Sequence, residues 1–210
     1  MSVVTMRANL TDSDIRSLIK GPSDDERAHA AHKICRCIED GELSPEERLH
    51  AEGIIAIMAQ DAAVLVRRAL AIALKNSPKL PREIANKLSR DVDSISLPVI
   101  MNSPSLTDED LVAIVRACPP NKQVAVASRE TLSTTVTGAI SSYAVSEAVE
   151  RALANDNALF DEEGLDTALT RFEGLSSITT AMVYREELPV GVTEKLVSMV
   201  TGELFDHLVN

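Results

Sequence analysis

The sequence predicts an all-α fold, a right-handed α–α superhelix of stacked helix pairs (an α-solenoid). Three observations lead there. The first is a shared stripe: Leu80, Ile84 and Leu88, then Leu132, Val136 and Ile140, then Leu188, Val192 and Leu196. Apolar residues four apart line one side of a helix. The second is recurrence. The three stripes start 52 and 56 residues apart, and the pattern from Val92 through Asn102 to Leu106 and Asp108 returns from Val145 through Asn155 to Leu159 and Asp161. Units repeated at such spacing cannot bury their apolar faces alone, so they stack. The third is composition. Hydrophobic residues make up 45% of the 210, yet there is no Trp, with three Phe and two Tyr. A core of Ala, Leu, Val and Ile suits closely packed helices.

Taken in order, the chain reads as one helical domain over 1–210: N-terminal helices to residue 60, stacked helix pairs over 61–188, and a C-terminal helix over 189–210. Leu10 and Thr11 mark a short start, with Thr11 as cap and Leu10 as staple, and 12–20 reads as a docked arm. Gly21-Pro22 breaks it. Ser23 to Glu26 and Ser44 to Glu47 are capping boxes, with acids at the positive end of each helix. The helix begun at Ser23 runs to about Asp40, where Gly41 closes it. Pro45 suits a first helical position because its missing N–H has no partner there. Asp61 opens a helix carrying Arg67, which Asn76-Ser77-Pro78 stops.

Further helices are expected near 81–89, 92–101, 107–117, 121–128, 133–142, 145–155, 161–172, 176–184 and 189–209. Pro81, Ser133 and Pro189 supply helix starts. Asn102 and Asn155 are read as left-handed helix ends. Thr131 to Thr137 is rich in β-branched residues and suits a strand by propensity. Its apolar spacing matches the two Leu-Pro helices, so it is assigned to a helix.

The net charge is −11, unevenly spread. Residues 1–90 hold 14 Lys/Arg against 13 Asp/Glu, net +1, and residues 91–210 hold 7 against 19, net −12. Over 67–90 there are seven bases and one acid, Glu83. Such an island either steers an acidic partner or neutralises the acidic half of the same molecule. Arg67, Arg68, Arg82 and Lys87 are the candidate partner-binding residues. Cys35 and Cys37 are too close for an ordinary bridge, and the third cysteine makes the count odd, which points to a reducing, cytoplasmic setting. Neither a signal peptide nor an 18-residue apolar run is evident.

Other constellations are weaker. His29, His32 and Cys35 fall near one helix face and are zinc-ligand types, so they are the one metal candidate. The plainer reading puts Cys35 in the core and the histidines in solvent. An exposed His also permits a phosphoryl-accepting role; His50 and His207 carry no motif. Asn155 to Asn157 with Asp161 to Glu163 form an acidic loop that lacks the spacing of a calcium loop, which leaves helix capping. Arg129 and Arg185 precede equivalent helices. Each either contacts an anion at the base of a groove or, the preferred reading, staples repeats by binding Asp or helix-end carbonyls. Nucleophile-elbow, Walker and dinucleotide motifs are absent, and no cofactor is expected.

Asp61, Val66, Arg67, Ala69 and Ala71 together resemble the second helix of a HEAT repeat. That resemblance implies Asp–Arg bonds between neighbouring repeats. The runs at Asn102 to Leu111, Ala127 to Leu132 and Tyr184 to Pro189 resemble a bacterial family of uncharacterised proteins, itself similar to HEAT-like proteins, from about residue 20 onward. Ser77 stands where Arg129 and Arg185 stand in later units, so an arginine role there is not common to all three. The expected function is therefore a non-enzymatic protein-interaction scaffold with an acidic protein as partner, the C-terminal helix being a candidate for self-association. Nucleic-acid binding through 67–90 is a second reading, opposed by the acidic charge and the scarcity of aromatics. An enzyme or phosphorelay helper is a third.

Overall fold

The computed structural model describes residues 12–200. Over these residues the chain is all-helical, with thirteen helices and one isolated backbone bridge. It divides into two compact units, Met1–Leu106 and Thr107–Asn210.

The first unit holds α1 (Asp12–Lys20), α2 (Asp24–Asp40), α3 (Pro45–Met58), α4 (Val64–Leu74), α5 (Arg82–Ser89) and α6 (Asp93–Asn102). Here α2 packs along α4, and α4 along α6. Helix α1 docks on α2, α3 lies against α2 and α4, and α5 lies against α6. The seams are aliphatic: Ile34, Ile38, Leu70, Leu74, Ile95 and Ile100 are fully buried. Each such side chain contributes about 1.5–3 kcal/mol by leaving water. The starts follow the local chemistry. Ser23 Oγ accepts from the Glu26 N–H, while Ser44 and Glu47 close a reciprocal capping box. The arm at 12–20 is indeed helical and docked, with Lys33 donating to Asp14 at 2.7 Å. Thr11 and Leu10, its expected cap and staple, lie outside the described residues.

The second unit holds α7 (Asp108–Ala117), α8 (Pro120–Ala127), α9 (Thr134–Tyr143), α10 (Ser146–Leu153), α11 (Glu162–Arg171), α12 (Ser176–Val183) and α13 (Val190–Met199). These helices pack in two rows. One runs α7, α9, α11, α13 and the other α8, α10, α12, each helix touching the next in its row, and consecutive helices from α7 to α10 and from α11 to α13 join the rows. The apolar stripe explains this. Val136, Ile140, Val192 and Leu196 are almost completely buried, as the four-residue spacing requires.

Three expectations are corrected by this architecture. Neither Asn102 nor Asn155 takes the left-handed conformation; among the described residues only Gly174 has positive φ. Their side-chain amides bind carbonyls instead, Asn102 that of Pro98 and Asn155 that of Arg129. The helix begun at Asp61 starts later, at Val64, because the Asp61 carboxylate accepts from the Ala63 N–H and holds the entry turn. The last helix closes at Met199, with Val200 extended; the expected continuation to 209 lies outside the described residues. The β-branched run resolves as helix α9. Its propensity shows only in Leu132, which forms a single parallel bridge with Ala158 just before α9 begins.

Candidate functional site

Arg67 and Lys79 are engaged within the fold. Arg67 pairs with Asp91 through two bonds of 2.6 and 3.0 Å and also donates to the carbonyls of Asp61 and Ala62. Hydrogen bonding to Asp91, with the charges of Asp91 and Asp61, holds its guanidinium above the ordinary range despite partial burial. Lys79 Nζ collects the carbonyls of Ile38, Glu39 and Gly41 at the C-terminus of α2. A cation suits the negative end of a helix.

Arg68, Arg82, Lys87 and Arg90 are exposed. Arg68 sits among apolar neighbours on the solvent side of α4: Val64 and Leu65 are each 41% exposed and Ile72 is 43% exposed. Val64, Arg68 and Ile72 are four apart along α4 and Leu65 lies three before Arg68, so the four form one mixed stripe.

The Asp–Arg bonds run between successive packed helices, the pattern the HEAT resemblance implies. The Asp61 carboxylate is bound by Arg27 from α2, at 3.3 Å, and Arg67 of α4 reaches forward to Asp91. Each arginine thus bonds the aspartate ahead of the next packed helix, and the Asp61–Arg67 contact runs through the Asp61 carbonyl.

Cys35 is fully buried on α2, while His29 and His32 are exposed. The three span an arc of about 120° around the helix, and the edge of the core cuts across it. Burial pushes the Cys35 thiol up from 9.0 to about 12. Among the described residues no three His, Cys, Asp or Glu groups are placed to hold a metal ion.

A cleft of about 580 Å³ lies in the second unit, lined by the 156–160 loop, Leu165 of α11 and the 185–189 turn. Arg185 is one of its lining residues. It donates to the carbonyls of Leu153, Asn155 and Ala158, at 2.8, 3.3 and 2.8 Å, and lies over the Phe160 ring, 4.8 Å from its centroid. Burial lowers its pKa, and the nearby Asp156 charge opposes that. The helix-end carbonyls of the stapling reading are therefore its partners.

The loop opposite is held from several sides. Asn155 Nδ2 donates to the Arg129 carbonyl, the Leu159 N–H to the Leu132 carbonyl at 2.9 Å, and Thr137 Oγ1 to the Leu159 carbonyl at 2.6 Å. Burial likewise lowers the Arg129 pKa, against the charge of Asp108. Asp161 turns out to cap α11, accepting from the Gly164 N–H. Sequence reasoning singled out Arg185 but missed the cleft wall, Leu159 and Phe160. No sequence signal marked them: Leu159 holds the repeat position of Leu106, which is buried, yet it is itself 62% exposed. The lining carboxylates, guanidinium and apolar groups suit holding a ligand by charge and contact.

A family model described as an uncharacterised protein conserved in bacteria (DUF2336) matches residues 95–210, more than half of the chain, and the chain belongs to that family. The match begins in α6, so it includes the cleft and leaves the basic stretch 67–90 ahead of it. No curated protein and no solved structure gives a significant match.

Proposed function

We propose that this member of the DUF2336 family is a non-enzymatic scaffold for protein–protein contacts, built as a right-handed α-solenoid of HEAT-like helix pairs. The two-row packing of α7 to α13 supports the solenoid reading. The stripe of Val64, Leu65, Arg68 and Ile72 carries the functional one. Apolar anchors beside an arginine are the composition of an interface centre. Arg82 and Lys87, exposed on α5, add positive charge that steers an acidic surface. Arg67 is left out of this surface because Asp91 and two carbonyls already use its guanidinium.

The test is affinity capture from native bacterial extract, with wild type beside an R68E/R82E/K87E variant and an Ile72→Glu variant. A protein retained by wild type and lost from both variants supports the reading. Identical capture by all three removes this surface from consideration. Retention of nucleic acid alone, lost with salt and with charge reversal, would favour the nucleic-acid reading instead.

A further inference from the structure

The cleft of the second unit is separate from the α4 stripe and has the opposite charge. We infer that it holds a lysine- or arginine-bearing peptide segment of a partner protein. Three features converge on this occupant.

The first is sign. Asp156, Glu186 and Glu187 line the cleft and are exposed. Arg185, the one cation lining it among the described residues, donates from Nη1 and Nη2 to the carbonyls of Leu153, Asn155 and Ala158, while its buried Nε has no partner. Three carboxylates against one guanidinium leave the lining with a net charge of −2, in a half of the chain that is itself net −12.

The second is the apolar wall. Leu159, Phe160, Leu188 and Pro189 line the same cleft, and Leu159 is 62% exposed. Lysine and arginine carry aliphatic stems that lie along apolar surface while the charged head reaches a carboxylate. A metal ion or a small hydrophilic cation would use the carboxylates and leave this wall bare.

The third is preorganisation. One side of the cleft is fixed by the Leu132–Ala158 bridge and by the Asn155 and Thr137 bonds, and two further lining residues hold each other, Arg185 lying over the Phe160 ring. A site already ordered spends less free energy on ordering when a flexible peptide arrives.

The experiment is a titration of the isotope-labelled full chain, followed by nuclear magnetic resonance. The probes are a short acetylated amide peptide alternating leucine and lysine, and the same peptide with glutamate in place of lysine. The lysine peptide is expected to shift amides of 156–165 and 185–191 saturably. A D156N/E186Q/E187Q variant should weaken it about tenfold. Leu159→Ser should weaken it as well. All four side chains are exposed, so these variants keep the fold, which the dispersion of the spectrum verifies. Equal binding of the glutamate peptide, an unaffected triple variant, shifts centred elsewhere, or no saturable shift would each overturn the inference. The R68E/R82E/K87E variant should bind as wild type does; its failure would take the peptide site away from the cleft while leaving the proposal for α4 and α5 to its own test.

Discussion

Arg67 and Asp91 form a two-bond ion pair, 2.6 and 3.0 Å long, that ties α4 to the turn between α5 and α6. Both side chains are 16% exposed, so water competes poorly for them. Hydrogen bonds to charged groups contribute about 1.5–3 kcal/mol. Arg67→Ala should therefore cost about 2 kcal/mol, and Asp91→Ala a similar amount, while the double variant should cost less than the sum. Urea denaturation of the four proteins measures this coupling. A coupling near zero would mean the pair is screened like an exposed one.

Arg185 gathers three carbonyls at the end of α10 and in the loop that follows. Arg185→Ala leaves those acceptors without their cation and should destabilise the second unit by about 2–3 kcal/mol. Arg185→Lys keeps the charge but not the fork of donors, so it should recover part of that loss. Thermal unfolding of the two variants, compared with Arg68→Ala as an exposed control, is the measurement.

Cys35 gives a pH dependence with a definite sign. Its thiol ionises at 9.0 when exposed and at about 12 in the fold. Below pH 9 it is protonated in both states and its contribution is fully present. Above that, the unfolded chain loses the proton while the folded chain keeps it, so stability falls as pH rises toward 12. Wild type should lose stability more steeply than Cys35→Ala between pH 9 and 11, measured by denaturant midpoint. At neutral pH, Cys37 and Cys118, both partly exposed, should react with a thiol reagent well before Cys35 does.

Gly21 is required where α1 turns toward α2. A Cβ there would lie 2.4 Å from the Ser17 carbonyl oxygen, a backbone atom that cannot swing away. Gly21→Ala should cost about 1–3 kcal/mol and loosen α1, which limited proteolysis near residues 12–22 would reveal as faster cleavage. Gly53→Ala is the control, since nothing lies within 4 Å of a Cβ there.

Local chemistry determined much of this protein without tertiary information. The capping groups of Ser23, Ser44, Thr107, Ser133 and Asp161 act within a turn of chain, and each caps as its residue type predicts. The stripes at 80–88, 132–140 and 188–196 placed their helices for the same reason: periodicity is a property of neighbouring residues. Which polar groups meet across the chain was decided only by packing. A run of seven bases reads as one island, but Arg67 and Lys79 bond within the fold because Asp91 and the open end of α2 lie within reach. His29, His32 and Cys35 share a spacing, but the depth of the core around α2 separates the thiol from the imidazoles. The cleft is tertiary from the start. Its walls come from segments about thirty residues apart, which Arg185 ties together by reaching back to carbonyls that no local pattern marks as acceptors.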